Sequence, residues 1–139
     1  MVKVAVVILN WNGERFLEQF LPPLIACTSY AGAQIIIADN ASTDGSMQFL
    51  QTNYPSLRTI VLDQNYGFAA GYNKALEQID AAYFVLLNSD VEVTPGWLDA
   101  LMVFMEANPT VAACQPKIKA LYAKNYFEHA GAAGGFIDY

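Results

Sequence analysis

The chain has 139 residues, with thirteen acidic and seven basic side chains and a net charge of -6. Hydrophobic residues make up 55% and charged residues 14%, which excludes general disorder and gives a single domain enough apolar surface for a core. The acidic balance argues against nucleic acid bound through a basic surface, but it is compatible with a nucleotide held through a divalent metal.

Met1 to Leu9 is apolar but stops at Asn10, too short to span a membrane or complete a signal peptide. Within it, Lys3 to Leu9 is rich in β-branched residues and predicts a buried first strand. Asn10-Trp11-Asn12-Gly13 ends that strand. A helix follows from Glu14, with Phe16, Leu17 and Phe20 at helical spacing; Pro22-Pro23 interrupts or kinks it, and the pattern admits a further turn through Leu24-Ile25-Ala26. Gln34 to Ala38 is a second strand, closed by Asp39-Asn40. Ser42 to Ser46 is a turn and cap cluster, and the helix after it carries Met47, Phe49 and Leu50. Leu57 to Leu62 predicts a third strand, and Asn65-Tyr66-Gly67 opens a helix through Ala75, Leu76 and Ile79. Ala81 to Leu87 is a continuous apolar run, which predicts a fourth strand buried on both faces. Thr94-Pro95 predicts the start of a helix carrying Trp97, Leu98, Leu101, Met102 and Met105. Val111 to Cys114 predicts a fifth strand, and Lys117-Ile118-Lys119 an extension of the sheet. Beyond Pro116 the pattern weakens, and neither Tyr126–Gly131 nor Gly134-Gly135-Phe136 has a clear period. Cys27 and Cys114 read as reduced core thiols of a cytosolic protein, with a disulfide left open by the sequence.

Strands alternating with helices imply an α/β fold: a Rossmann-like, mostly parallel sheet with helices on both faces. Strand two would lie beside strand one, and strands one and four would flank the point where the strand order reverses. Ligands in such folds bind beyond the carboxyl ends of the strands. The clusters Asn10–Gly13, Asp39–Asp44 and Asn88–Asp90 all end strands, so they are expected to converge on one crevice. Asn88 and Asp90 are two apart and would face the same way in an extended segment. One carboxylate and one amide suit a hard cation that takes its other oxygens from a diphosphate and water. The same tripeptide also fits an Asx turn capping a strand end.

Asp39 would take ribose hydroxyls in a dinucleotide-binding fold, but that needs a Gly-x-Gly-x-x-Gly turn where this chain has Asn10-Trp11-Asn12-Gly13-Glu14-Arg15. A carboxylate there can instead accept a hydrogen bond from the imide of uracil or thymine. The alternative is that Asp39 and Asp44 cap the following helix. Gly67 and Gly71 are four apart on one helix face, at a cost of roughly 1 kcal/mol each relative to alanine. They would admit a close ligand, with Asn73 near the same side, or simply a close strand. His129 reads as a structural or surface side chain. No zinc spacing and no Ser-His-Asp or Cys-His arrangement is present.

Val6 to Gly13, Ile37 to Ser46, Asn65 to Asn73 and Leu86 to Asp90, taken together, resemble family 2 glycosyltransferases of the GT-A fold, in particular rhamnosyltransferase-like enzymes of bacterial polysaccharide assembly. The resemblance implies that Asp39 contacts the nucleotide base. It also implies that Asn88-Ser89-Asp90 stands for the family's Asp-x-Asp motif, with Asp90 holding Mg²⁺ or Mn²⁺. Asn88 departs from that pattern and would bond ribose or sugar hydroxyls. The expected nucleotide-binding set is Asn10, Asn12, Asp39, Asn65, Gly67, Asn73 and Asn88, with Asp90 as metal ligand. The donor would be a UDP-, dTDP- or GDP-linked sugar and the acceptor a hydroxyl of a glycan or lipid-linked glycan. Transfer would proceed with inversion, in the cytoplasm or at the inner face of the membrane. No residue matches the family's catalytic base, and residues 1–139 resemble the donor-binding part of a longer enzyme, incomplete at its carboxyl end. A non-catalytic nucleotide-binding module and a sugar-nucleotidyltransferase are the alternatives. The latter would want a Gly-rich, basic loop after the first strand, which Asn10–Arg15 lacks.

Overall fold

β-branched residues in an unbroken run favour extended backbone, and β1 (Val2–Asn10) follows from such a run, with Val4 to Val7 fully buried. The computed structural model describes residues 2–129. It divides into two compact units, up to Leu98 and from Asp99 on.

In the first unit, α1 (Glu14–Cys27), β2 (Ala33–Asp39), α2 (Ser46–Asn53), β3 (Arg58–Val61), α3 (Gly67–Leu76) and β4 (Ala81–Leu87) follow β1 in turn. The four strands are parallel in the order β3-β2-β1-β4. β1 is therefore central, with β2 and β4 on either side, as the alternation predicts. One face of the sheet packs Ala5, Val7, Ile36, Ala38 and Ile60 against Tyr72, Ala75 and Ile79. The other packs Ile8 and Ile37 against Leu17, Leu21 and Leu24 of α1 and Leu50 of α2. The parallel register sets Asn10 beside Asp39, and Ile8 beside Leu87.

The structure departs from the sequence reading in several places. β4 is an edge strand among the described residues: Ala82, Phe84 and Leu86 are exposed, Leu86 at 53%. Its apolar run records that it tolerates burial, not what covers it. Helix α1 is not interrupted at Pro22 and Pro23 but takes in the further turn to Cys27, because Leu21 and Leu24 are buried on both sides of the missing backbone donors. α4 (Trp97–Ala107) starts two residues after Pro95, since Gly96 at φ +74° breaks helical geometry. Val111–Cys114 forms no strand. It has one β-branched residue and lies between Pro109 and Pro116, and Cys114 is exposed rather than in a core. Both described cysteines are free, and Cys27 is half-buried. In the second unit, β5 (Ile118–Lys119) does not extend the main sheet. It pairs antiparallel with β6 (Phe127–His129). The segment Gly134-Gly135-Phe136 lies outside the described residues.

Candidate functional site

The carboxyl ends of β1, β2 and β4 share one edge of the sheet, and β1, between the other two, makes it the point where the strand order reverses. Ladder pairing of Asn10 with Asp39 brings two polar side chains together where both are buried: Asn10 is 0% exposed and Asp39 1%. The Asn10 amide nitrogen donates to Asp39 Oδ1 at 2.9 Å and to Ser42 Oγ at 3.1 Å. Ser42 donates from its hydroxyl to Asp39 Oδ1 at 2.6 Å and from its backbone N–H to Oδ2 at 2.9 Å. A carboxylate has roughly four lone-pair positions. Asp39 thus offers a ligand one acceptor position on Oδ2 and not an open carboxylate.

Asn12 adopts φ 50°, a left-handed conformation that asparagine tolerates. Its Oδ1 accepts from the backbone of Thr43 at 2.7 Å and of Asp44 at 3.3 Å, while its own N–H donates to Ser42 Oγ at 2.9 Å. The Asn10 amide nitrogen and Asn12 Oδ1 therefore fasten the β1 end to the β2 end and the turn after it. Asn10 Oδ1 has no partner, although it is buried, and a Cβ on Gly13 would lie 2.5 Å from it. The glycine leaves that oxygen its space.

Asp44 caps two helices. Its carboxylate accepts from the Glu14 N–H of α1 at 3.0 Å and from the Ser46 N–H of α2 at 3.0 Å. Burial acts to raise its pKa, but the hydrogen bonds from Ser46 and Glu14 outweigh burial and hold it below the usual carboxylate value. Asp44 therefore meets the capping expectation. Asp44→Ala should cost about 1 kcal/mol of stability at neutral pH, toward the low end of cap substitutions because the group is exposed. A lowered folded pKa means that this contribution is complete above the ordinary carboxylate range. It fades as pH falls through the depressed value. Denaturant melts of both proteins at pH 7 and pH 3 should show the difference shrinking at the lower pH.

Beyond β2, Asn40 is 2% exposed. It holds the loop 65–67: its amide nitrogen donates to Asn65 Oδ1 at 2.9 Å and to the Gly67 carbonyl at 3.0 Å, and its Oδ1 accepts the Tyr66 N–H at 2.9 Å. The Gly67 N–H donates to Asn65 Oδ1 at 2.8 Å. Tyr66 is fixed further by its hydroxyl on Asp63 at 2.8 Å and by the Lys74 ammonium 4.5 Å from its ring. That hydroxyl bond lowers the Asp63 pKa. Gly67 takes φ +73° at the start of α3, so glycine is needed there for conformation, not for space. Gly71 is the packing glycine: a Cβ there would lie 3.0 Å from the Asn40 amide and 3.1 Å from Leu9. Asn73 is exposed while Gly71 and Tyr72 are buried, so it does not share their side of α3.

Tyr72 is buried and its hydroxyl donates to the Leu87 carbonyl at 3.0 Å, fastening α3 to the end of β4. Burial pushes its phenol pKa up. Asn88, Ser89 and Asp90 leave the sheet from that point, with Asn88 and Asp90 exposed. Asn88 and Ser89 border a small recess with Phe16, Leu17 and Phe20 of α1. Among the described residues no three His, Cys, Asp or Glu side chains group to hold a metal. An ion at Asp90 would then rest on one carboxylate plus phosphate oxygens and water. That donor set suits Mg²⁺ or Mn²⁺ held jointly with a substrate, and the residues present fit it.

Sequence reasoning passed over Asn40, Ser42 and Tyr72 as supports of the site. The available signal was a second amide immediately after Asp39, followed by a serine close enough to fold back on it.

The Glycosyl transferase family 2 model matches residues 5–133. An N-acetylglucosaminyl-diphospho-decaprenol L-rhamnosyltransferase of Mycobacterium tuberculosis is 30% identical over 127 residues, covering 84% of this chain and 41% of its own length. The chain thus spans less than half of that relative. Two solved structures share the fold. Staphylococcus aureus TarS 1-349, in complex with UDP-GlcNAc, superposes with a TM-score of 0.66 at 22% identity, over 77% of this chain and 32% of TarS. The mannosyltransferase PcManGT of Pyrobaculum calidifontis, in complex with GDP-Man and Mn²⁺, gives 0.70 at 21% identity, over 86% of this chain and 37% of its own. No helix among the described residues is long and apolar enough to cross a membrane. A family match that begins in the central strand and runs through both units, on a sheet of this order, makes the chain a member of glycosyltransferase family 2 with the GT-A fold.

Proposed function

We propose that this chain binds the donor, a nucleotide-diphosphate sugar, across the carboxyl edge of β1, β2 and β4, in an enzyme that transfers the sugar with inversion to a hydroxyl of a growing glycan or glycolipid. The observation that carries this reading is the state of Asp39: locked by Asn10 and Ser42, with one acceptor position left. An acceptor there suits the imide N–H of uracil or thymine and the ring N–H of guanine, hence UDP-, dTDP- or GDP-linked donors. Asn65, Gly67 and Asn88 would line the same edge, with Asn10 holding Asp39 directly and Asn12 holding the Ser42 hydroxyl that bonds it. Asn73 would reach a ligand only from the exposed side of α3.

Asp90 would hold Mg²⁺ or Mn²⁺ with the diphosphate. When bound, the ion supplies positive charge against the departing diphosphate. In the whole enzyme an acceptor hydroxyl, deprotonated by a carboxylate, would attack the anomeric carbon. That carboxylate is not identified among these residues. The chain spans 41% of its rhamnosyltransferase relative, and by itself it is expected to bind the donor and not turn it over, as a non-catalytic nucleotide-binding module would. Family membership favours glycosyl over nucleotidyl transfer. The reading implies a cytoplasmic protein, peripheral at the inner face of the membrane where lipid-linked acceptors are presented.

Base choice is the test. Cytosine presents an acceptor where uracil presents the imide N–H, so CDP should bind about tenfold or more weakly than UDP. Calorimetric titration with UDP, dTDP, GDP and CDP in Mn²⁺ measures this directly. Equal affinity for CDP and UDP would remove the base contact from Asp39. A coupled assay for released nucleotide, with nucleotide sugars and simple acceptors, tests turnover.

A further inference from the structure

We infer that Asn40 is a positioning residue that, together with the Gly67 N–H, holds the Asn65 side chain so that its amide NH₂ is presented to the nucleotide as a hydrogen-bond donor. The inference rests on the donor-binding reading above. Asparagine amides have two orientations, and here backbone donors fix both. The Tyr66 N–H can only donate, so the Asn40 atom it meets is the oxygen and the Asn40 nitrogen faces Asn65 and the Gly67 carbonyl. The Gly67 N–H can likewise only donate, so the Asn65 atom it meets is also the oxygen. That oxygen takes a second bond from Asn40 and is then fully used. Asn65 is exposed, and its NH₂ has no partner among the described residues. What remains for a ligand is thus a donor and never an acceptor. The matching ligand group is an oxygen acceptor, which could be a base or ribose oxygen of the nucleoside or an oxygen of the diphosphate. Asn40 is nearly buried and does not itself face the ligand. It acts through Asn65.

The experiment titrates UDP and uridine, in Mn²⁺, into the native chain and into Asn40→Ala, Asn65→Asp and Asn65→Ala. Asn65→Asp keeps an oxygen for Asn40 and Gly67 but replaces the NH₂ with a second oxygen. It should weaken UDP about tenfold or more while leaving the Tyr66 and Gly67 amides protected from hydrogen exchange, since their acceptors remain. Asn40→Ala should remove that protection from the Tyr66 amide and also weaken UDP about tenfold. Loss seen with uridine alone assigns the acceptor to the nucleoside, and loss seen only with UDP assigns it to the diphosphate. Asn65→Asp is an exposed change and covers the case in which Asn40→Ala does not fold. If folded Asn40→Ala or Asn65→Asp binds UDP like the native chain, the inference is overturned while the donor-binding reading stands. If the native chain binds neither UDP nor GDP, the donor-binding reading falls and takes this inference with it.

Discussion

Asp39→Ala is expected to weaken UDP binding about 10- to 100-fold, the loss of one charge-assisted hydrogen bond worth about 1.5–3 kcal/mol. The substitution also has a cost that ligand binding does not report. The Asn10 amide and the Ser42 N–H both donate to Asp39, and in its absence each is a donor without its acceptor in a largely buried place. Each such donor costs about 1–3 kcal/mol, so a fall in thermal stability should accompany the fall in affinity. Ser42→Ala separates the two effects. It removes a hydroxyl that touches Asp39, Asn10 and Asn12 but leaves the carboxylate itself. Stability should drop again, and UDP affinity should fall much less than in Asp39→Ala. Titration calorimetry on both variants, checked for folding by circular dichroism, distinguishes the outcomes. A folded Asp39→Ala that binds UDP normally would show that Asp39 only ties β1 to β2.

Asp90→Asn is expected to abolish the gain in UDP affinity that Mn²⁺ confers. Asp90 is the one carboxylate of its tripeptide, and among the described residues no cluster of three ligating side chains is present to take over the ion. Without metal the sign reverses. An exposed carboxylate repels a diphosphate slightly, by less than about 1 kcal/mol, so the asparagine variant should bind UDP as well as the native chain or marginally better in chelator. Asn88→Ala keeps the charge and should retain most of the metal effect. Titrations of the native chain and both variants, each with Mn²⁺ and with chelator, give all six values. A full metal effect surviving in Asp90→Asn would place the ion elsewhere.

The parallel α/β frame was legible in the chain alone. Alternating apolar strands and amphipathic helices have few ways to bury their faces, and the turn residues at Asn10, Asp39 and Asn88 fall where a strand must stop. It also brought the three polar strand ends to one edge of the sheet, because the strand ends of a parallel sheet point one way. The double cap at Asp44 was only half legible. The turn cluster announces a cap for α2, but nothing local says that Glu14, thirty residues earlier, needs the same carboxylate. The roles of Asn10, Asn12 and Asn40 were likewise hidden. A list of asparagines at strand ends reads as a set of ligand contacts, and only the register that puts Asn10 beside Asp39 shows that two of them also fasten the strand ends. Asn73 needed the buried side of α3 to be known before its own direction was fixed. Edge exposure of β4 and the hairpin that replaces a fifth strand belong to tertiary structure for the same reason. An apolar run specifies that a face prefers to be covered, and a short segment with one β-branched residue has too weak a preference to choose its own partner. Long-range hydrogen bonds and covering elements decide those cases, and neither leaves a local trace in the chain.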